Sequence, residues 1–543
     1  GGVLLSKETM FSSRENRLMI RYKLIDAHSP TIIRFKPFLA FRKASQLTRE
    51  NDQADRSYRQ VENGISTCMY FGYPELFLQF NKKPEFIYHP DWYRGIEYIQ
   101  DQQNGDSYQE DLYVPGYFEM SIEKDEEIIL SASDIGIDTS ILFDEFEYEL
   151  EKRTPRSNFY NCLRNSSHQF FYIPKNEETY LLAGYPWFKV RARDLFISLP
   201  GSTLAVDRVD DFEKIMDSSI PHLMDFMEEK PLKNIIKQIE DPDVLLWVIW
   251  ALQQYRKENN ETPNEKYTPF LFFIMKYILT NKHPNLKVNN ETGLVYTDGH
   301  DVAVSWMNAT LNGKPVVPRS GYLVEFNALW YNALCFAEEI AEITKNKELT
   351  TLFREKIEIV RRTFVTTFMN EAGYLYDYVE NGYRDVNVRP NMIFAVSLDY
   401  SPLERSQQKS VIDYVTKELL SNCGIRSLSP KSGNFKPHYE GSPEEKTFAY
   451  FNGMAFPWLF GSYIEAYLRV FHKSGLSLAD RIMVAMEDEM QNNCIGTISE
   501  MYDSTPPFLG RGGFSFAMSV SELLRALKLM KSYESEPQKG STI

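Results

Sequence analysis

The alternation of hydrophobic and polar residues along the chain changes character near Phe143. Before this point, several segments alternate with a period of two or are rich in β-branched and aromatic residues, and turn clusters of Asn, Asp, Gly and Pro separate them: 18–26, 31–42, 75–81 and 117–131. A period of two indicates a strand with one buried face. We therefore predict an antiparallel β-sandwich over residues 1–135 and a linker over 136–158.

After Phe143 the hydrophobic residues recur with helical spacing. The segments with this spacing are 210–229, 244–257, 269–280, 324–345, 349–369, 403–420, 457–473 and 515–531. Loops rich in Gly, Pro and Asn connect them, and neither a persistent heptad nor a tight repeat occurs. Many long helices with elaborate connections predict a barrel of paired helices, an α/α toroid, over residues 159–535, with a tail at 536–543. The chain is thus expected to be multidomain.

Length and charge restrict the class of protein further. A chain of 543 residues is too long for one small core, and its 43% hydrophobic and 14% aromatic content is that of a well-packed globular protein. The net charge of -15 argues against a nucleic-acid backbone or an anionic membrane as partner. No apolar run reaches the roughly 18–20 residues of a membrane span. Neutral polymers remain open as partners.

The five cysteines are odd in number and widely spaced, without a CxxC motif. This pattern argues against a disulfide framework or a structural zinc site and favours a reducing, cytoplasmic compartment. The eight histidines are scattered, and the nucleotide-binding motifs are absent, so we expect no metal and no cofactor. The chain begins Gly-Gly-Val in a strand-like pattern. We therefore expect a fragment, with an upstream signal peptide left open.

The middle of the chain carries the densest candidate chemistry. Within about two dozen residues it places two indole rings, a guanidinium, a carboxylate and several amides, and the candidates among them are Trp306, Asn308, Arg319, Glu325 and Asn327. A sugar site needs aromatic faces for stacking and directional hydrogen-bond partners for hydroxyls. The alternative is an ordinary amphipathic helix with buried tryptophan.

Loops between the predicted helices carry further candidates. Trp187 can stack on a sugar face, and the neighbouring Arg193–Asp194 pair can clamp two vicinal hydroxyls. Gly and Pro nearby predict a loop that begins a helix, and binding residues often lie on such loops. The alternative is a surface ion pair beside a core tryptophan. Additional candidates in later loops are Arg389, Asn391 and Trp458.

Glycoside hydrolysis needs two carboxyl groups on opposite sides of one bond. Glu500 follows a glycine and precedes a Pro-rich turn, which predicts a loop position, and Glu325 lies in the motif-rich middle. Asp194 and Asp243 are the aspartate candidates. Glu522 lies one turn inside a predicted helix and is expected to be structural.

The ordered motifs resemble those of bacterial glycogen debranching enzymes of the amylo-α-1,6-glucosidase type over nearly the whole chain. The N-terminal part matches through PFLAFR, Trp92-Tyr93 and EDL with Pro115-Gly116. The C-terminal part matches through AGYPWF, RDLFISLPG, the helix with Asp243 and Trp247, VPRSGYLVEFNALWYNAL, RPN, GIRSLSP, FPWLFG, GTISE, RGG and SVSELLRA. Only the very start of the family's N-terminal domain is expected to be missing.

The resemblance implies a β-rich domain and a six-hairpin (α/α)6 barrel similar to that of glucoamylase. It also implies hydrolysis, with inversion, of α-1,6-linked glucose at branch points of glycogen or limit dextrin. In the family the acid is assigned to a Trp-Met-Asp motif and the base to a Ser-Glu motif. Glu500 matches the base, whereas the acid's position is Asn308, which has no acidic proton.

Other departures from the family fall in the same motifs. Trp-Gly-Arg-Asp reads Arg191-Ala192-Arg193-Asp194, and an Arg-Asp pair reads Lys446-Thr447. Apolar residues replace polar or aromatic ones of the family's pattern at Met392, Phe451, Phe456, Phe516 and Met518. Such replacements are expected to weaken sugar recognition.

Three hypotheses follow from the departures. The first is an active debranching-type glucosidase with an altered acid, for which Asp298 and Asp301 are stand-ins. The second is a glucan-binding pseudoenzyme, and the third is a related barrel enzyme such as a sugar isomerase. Retention of Glu500 favours the active glucosidase over the pseudoenzyme. A sugar isomerase would require a histidine pair at the barrel mouth. The oligomeric state and any glucanotransferase activity remain open, although the chain has no room for a separate transferase domain.

Overall fold

The computed structural model describes residues 2–29, 31–44, 46–103, 105–174, 178–185, 188–258, 266–492 and 495–535. The chain divides into two compact units, Gly1–Thr154 and Pro155–Ile543. Among the described residues, no helix combines the length and the hydrophobicity that a membrane crossing needs.

The N-terminal unit is built from antiparallel strands. In its described part they are β1 (Val3–Phe11), β2 (Arg17–Ala27), β3 (Thr31–Phe35), β4 (Arg59–Val61), β5 (Gly64–Thr67), β6 (Leu76–Phe80), β7 (Glu85–Glu97), β8 (Gln109–Ile122) and β9 (Glu127–Ser133). The strands form one sheet in the order β1-β2-β9-β6-β5-β4 and a second in the order β3-β8-β7. Side chains from both sheets form one core around Phe35, Phe80 and Phe118. The predicted antiparallel N-terminal domain is confirmed.

The segment predicted as a linker contains regular structure instead. A short helix, α1 (Ile99–Gln103), lies within the strand region, and α2 (Leu142–Glu151) follows β9. Leu142 and Phe146 of α2 are fully buried against Met10, Met19 and Ile129 of the strands. Within the segment predicted as a linker, α2 thus covers an apolar patch of the sheet.

The C-terminal unit is helical, as predicted. Its helices are α3 (Phe159–His168), α4 (Ala192–Ser202), α5 (Val209–Met227), α6 (Val244–Glu258), α7 (Thr268–Leu279), α8 (Val324–Ile343), α9 (Lys347–Phe368), α10 (Phe394–Ser397), α11 (Arg405–Glu418), α12 (Pro443–Ala449), α13 (Leu459–Phe471), α14 (Leu476–Asn492) and α15 (Ala517–Ser535). Within this described part, α4, α6, α8, α10, α13 and α15 each contact the next, and α15 contacts α4. These six helices form a closed inner ring.

Burial explains which helices form this ring. Every residue of α4 and α10 is buried, and α8 is buried along most of its length. Outer helices bury a single stripe, such as Phe353, Val360, Phe364 and Phe368 of α9. A helix that is apolar on all sides lies inside a larger core, whereas a helix with a single apolar stripe lies at the periphery. Pro200 and Gly201, which the sequence placed in a loop, lie inside buried α4.

Short strands in this unit order the loops between the helices. They are β10 (Phe171–Tyr172), β11 (Tyr180–Leu181), β12 (Gly184–Tyr185), β13 (Lys287–Val288), β14 (Val295–Tyr296), β15 (Thr310–Leu311), β16 (Lys314–Pro315), β17 (Tyr322–Leu323), β18 (Tyr378–Glu380), β19 (Tyr383–Arg384), β20 (Leu420–Ser421), β21 (Gly424–Arg426), β22 (Ala455–Phe456), β23 (Met501–Tyr502), β24 (Gly510–Arg511) and β25 (Ser515–Phe516). β12 pairs with β25, and β20 to β24 form one antiparallel sheet.

Candidate functional site

Residues at the N-terminal ends of the inner helices converge on one pocket. Asp194 lies in the first turn of α4, Trp458 is the N-cap of α13, and Phe516 directly precedes α15. All three line the same space. These inner helices therefore begin at one end of the ring, and the site lies at that end.

This inner pocket is narrow. Its cavity volume is about 20 Å³, which corresponds to roughly one water molecule. Six of the residues predicted from sequence meet there: Arg193, Asp194, Trp306, Asn308, Trp458 and Glu500. The remaining wall is Arg191, Phe451, Phe456, Phe516 and Met518.

Glu500 is buried at the pocket and held by both carboxyl oxygens. Oε1 accepts a hydrogen bond from the Tyr450 hydroxyl, and Oε2 accepts one from the Gly513 amide at 2.9 Å. Gly512 adopts φ +69°, and a Cβ there would lie 2.4 Å from Oε2, so glycine is required for this approach. Burial, with a smaller contribution from the charge of Asp194, raises the pKa of Glu500 to about 7 against the opposing effect of these hydrogen bonds.

Aromatic side chains enclose Trp306. Its ring makes edge contacts with Phe451, Phe456 and Trp458 at centroid distances of 5.3, 5.0 and 5.2 Å. Phe451 and Phe456 stack on each other at 5.5 Å. Aromatic neighbours in such geometries pack tightly. The ring faces that the sequence suggested for a sugar are therefore occupied largely by other aromatic side chains.

Arg193 and Asp194, predicted to clamp sugar hydroxyls, have different surroundings in the structure. The Arg193 guanidinium donates to both oxygens of Asp243 at 2.7 Å and to Asp241 at 2.8 Å. Asp194 is buried at the pocket, and desolvation raises its pKa. Asp243 is thereby neutralised by Arg193, whereas Asp194 is the second carboxyl beside Glu500.

A buried ion cluster lies beneath Trp306. We use this name for Arg319, Asp377, Glu325 and Asn391. Arg319 donates to Asp377 at 2.6 Å and to Glu325 at 2.7 Å, and Asn391 donates to Asp377 at 2.7 Å. The Asn391 carbonyl accepts from Trp306 Nε1 at 2.7 Å. The cluster holds Trp306 through Asn391. Arg319, Glu325 and Asn391, which the sequence suggested for substrate binding, do not line the inner pocket.

Two other predicted residues hold backbone instead of lining the pocket. The side-chain oxygen of Asn327 accepts a hydrogen bond from the Val295 amide at 2.8 Å, and its side-chain nitrogen donates one to the Val295 carbonyl at 2.9 Å. Arg389 donates to the Phe451 carbonyl at 2.7 Å and so fixes one wall residue. Trp187 lies outside the described residues.

Asn308 is half-buried and lines both the inner pocket and a wider outer cavity. Within the described chain its side chain makes no hydrogen bond. The suggested stand-ins for the missing acid lie elsewhere: Asp298 is exposed and accepts from the His300 amide in its own turn, and Asp301 is 83% exposed near Lys314. Neither aspartate lines the pocket.

Sequence reasoning missed three functional neighbours. Tyr450, Asp377 and Lys237 carried no local motif, because each acts on residues far away in the chain. Lys237 lines the outer cavity together with Phe188, Lys189, Arg191, Gln238 and Asn308, and the volume of this cavity is about 420 Å³. Among the described residues no group of three or more His, Cys, Asp or Glu is arranged to hold a metal.

Comparison with known proteins gives matches over most of the chain. A family model described as amylo-alpha-1,6-glucosidase matches residues 164–525, and one described as glycogen debranching enzyme N terminal matches residues 1–129. The glycogen debranching enzyme of Saccharomyces cerevisiae is 22% identical over 405 residues, which are 54% of this chain and 26% of the yeast protein. This chain therefore spans about a quarter of that relative's length.

A solved structure supports the fold independently. A bacterial glucoamylase complexed with acarbose superposes with a TM-score of 0.53 at 14% identity, covering 98% of this chain and 82% of the glucoamylase. At this identity the likeness concerns the fold alone. Together with the closed ring of inner helices, it confirms the predicted (α/α)6 barrel.

Proposed function

The chain belongs to the amylo-alpha-1,6-glucosidase family, and from that premise we propose that it hydrolyses α-1,6-linked glucose at branch points of glycogen or limit dextrin, slowly and with inversion. The observation that carries the proposal is Glu500, a buried carboxyl held by Tyr450 and Gly513 in a pocket at the N-terminal end of the inner helices. Glu500 would act as the general base. The four cysteines of the described chain are free, which fits the reducing cytoplasm we propose for it.

A base must be ionised to accept a proton from water. Burial raises the pKa of Glu500 to about 7, so a large fraction of molecules carries a neutral Glu500 at neutral pH. Base-catalysed turnover should therefore fall as pH decreases below about 7. The inner pocket has room for about one water molecule, the nucleophile of an inverting reaction.

The acid side of the reaction is impaired. Asn308 has no ionisable proton, and removing a general acid typically costs about 10²–10⁴-fold in rate. Asp194 is the other carboxyl on the pocket, and its raised pKa keeps it protonated over a wider range than a surface aspartate. Residual turnover would draw its proton from Asp194 or from water.

A second candidate function is glucan binding without turnover. The small volume of the inner pocket favours binding without turnover. A cavity of about 20 Å³ cannot hold a glucose ring unless the wall side chains move. Phe451, Phe456, Phe516 and Met518 are the residues that would have to move. The outer cavity of about 420 Å³ would then hold the sugar.

Glucose release from a branched limit dextrin by purified protein tests the proposal. Asn308→Asp should raise this activity by about 10²–10⁴-fold, because it restores an acid, and Glu500→Gln should abolish what remains. Asn434→Asp, an exposed position, is the matched control and should change nothing. Nuclear magnetic resonance of the first product identifies the anomer and so tests inversion.

Three results would separate the candidates. Brisk wild-type turnover that Asn308→Asp leaves unchanged would show that another group is the acid, and Asp194→Asn would be the next variant. An inactive Asn308→Asp protein that still binds maltooligosaccharide by calorimetry would favour the binding-only function. Absence of both glucose release and binding would refute both.

A further inference from the structure

The outer cavity has an unusual charge for this protein. Three of its six lining side chains are cationic, namely Lys189, Arg191 and Lys237, and the other polar groups are the amides of Gln238 and Asn308. The chain as a whole carries a net charge of -15. A cationic cavity on an acidic protein is a local feature that the overall composition does not explain.

Backbone hydrogen bonds hold the two cation-bearing segments together. The Lys237 amide donates to the Val190 carbonyl at 3.0 Å, and the Ala192 amide donates to the Lys237 carbonyl at 2.9 Å. Arg191 and Lys237 thus face each other across an isolated parallel bridge. The fold therefore fixes the approach of the two backbone segments that carry these cations.

The cations lack the partners that usually neutralise such a group. In the described chain, no carboxylate forms an ion pair within 4 Å of Lys189, Arg191 or Lys237. Arg191 lies over the Phe188 ring at 4.3 Å, and Lys237 donates to the Asn234 side chain. The longer-range charges of Asp194 and Glu500 act on Arg191 from the inner pocket. Two lysines and one arginine therefore keep donors for an external anion.

The size of the cavity indicates more than a bare anion. A volume of about 420 Å³ falls in the range of small-molecule sites, and the amides of Gln238 and Asn308 offer both donors and acceptors to hydroxyl groups. Arg191 and Asn308 line both cavities, so the outer cavity is adjacent to the inner pocket. A sugar in the outer cavity would contact Arg191 and Asn308, which also border the pocket that contains Glu500.

We propose that the outer cavity binds a sugar that carries an oxyanion, a phosphate ester or a carboxylate, attached to the glucan that reaches the inner pocket. This inference rests on the proposed glucan function and specifies its substrate class. Lys189, Arg191 and Lys237 bind the oxyanion, and Asn308 and Gln238 bind hydroxyl groups of the same sugar.

Isothermal titration calorimetry with four ligands tests this: glucose, glucose 6-phosphate, glucuronic acid and inorganic phosphate. We expect at least one of the two anionic sugars to bind tenfold or more tightly than glucose, with affinity that falls as sodium chloride rises from 50 to 250 mM. Lys237→Met and Arg191→Gln should each weaken that anionic sugar about tenfold, because each removes a charged donor.

Lys233→Met is the matched control. Lys233 is exposed, lies four residues before Lys237 and is not a lining residue of the cavity, so the same change of charge should leave affinity within twofold. Thermal unfolding of each variant verifies that it is folded. If Lys237→Met does not fold, the affinity of Arg191→Gln and the salt dependence of wild-type binding test whether the cationic side chains bind the ligand.

Several outcomes would overturn the proposal. Equal affinity for glucose and both anionic sugars would remove the charge requirement, and inorganic phosphate binding as tightly as the better anionic sugar would remove the sugar requirement. An equal loss of affinity for the anionic sugar in Lys233→Met and Lys237→Met would indicate that only the overall positive charge matters, and not a contact with Lys237. Binding of maltooligosaccharide without preference for charge would refute this inference alone, whereas preference for an anionic sugar without any glucan binding would refute the proposed function.

Discussion

The buried ion cluster and the wall of the inner pocket are adjacent, yet they satisfy their polar groups very differently. In the cluster, Arg319 binds Asp377 and Glu325, and Asn391 completes the network. In the pocket wall, Trp458 Nε1 is buried without a partner, and Asn308 makes no hydrogen bond to the described chain. Buried polar groups are costly unless they are paired.

This difference separates side chains whose polar groups are satisfied within the fold from pocket-wall side chains whose polar groups have no partner in the described chain. The cluster is complete without any ligand, so its charged groups serve to position Trp306 and the loop that carries Asn308. The wall of the inner pocket carries two carboxyl groups, Asp194 and Glu500, beside the apolar side chains Phe451, Phe456, Phe516 and Met518.

The largest expected effect comes from breaking the cluster. Arg319→Met leaves Asp377 and Glu325 buried without a cation, which should reduce the free energy of unfolding by about 3–5 kcal/mol. Denaturant unfolding measures the change. Arg354→Met is the control, because this arginine is 59% exposed and pairs with Glu338, and it should cost under about 1 kcal/mol. Similar losses in the two variants would mean that the cluster has no special structural role.

A smaller effect concerns the pH dependence of stability. The folded protein retains the Glu500 proton up to about pH 7, whereas the unfolded chain releases it near 4.5. Stability from this group is therefore present at low pH and decreases as pH rises from about 4.5 through 7, by on the order of 3 kcal/mol in full. Glu500→Gln should remove that decrease. Parallel unfolding curves from pH 4 to 9 for the wild type and the variant would contradict it, and exposed Glu371→Gln is the control.

The smallest effect compares two tryptophans directly. Trp306→Phe breaks the 2.7 Å hydrogen bond to Asn391 and leaves a buried carbonyl unpaired, whereas Trp458→Phe removes a donor that has no partner in the described chain. Both changes delete the same atoms. Trp306→Phe should therefore destabilise the protein by about 1–3 kcal/mol more than Trp458→Phe. Equal thermal shifts would show that packing alone determines the cost.

Periodicity predicted the two halves of the chain because a single buried face imposes a regular repeat. The predicted helix at 244–257 is α6 within one residue, and the predicted strand at 18–26 is most of β2. α4 was not predicted as a helix, because it is buried all round and its Pro200 and Gly201 read as a loop. α2 was missed because the prediction treated the boundary between the halves as a connection.

The site was predictable only as far as local motifs extend. Local motifs identified Glu500, Asp194 and Asn308. The apolar residues of the pocket wall were identified because they differ from the residues of those motifs. Asp377 lies 58 residues from Arg319 in the chain, so no local pattern links the two. The ion pair of Arg193 with Asp243 was not predicted for the same reason, since the two residues are 50 positions apart. Roles that depend on long-range pairing needed the fold.

The contact between the first and last inner helices has a consequence for synthesis on the ribosome. Gly201 of α4 approaches Ser521 of α15 so closely that a Cβ would lie 1.9 Å from the Ser521 carbonyl oxygen, and the hydroxyls of Ser202 and Ser521 lie 2.6 Å apart. Chains emerge N-terminus first. A nascent chain therefore carries α4 for more than 300 residues before its closing partner appears. Over that interval the apolar flank of α4 that α15 will cover is open to chaperones and to other nascent chains.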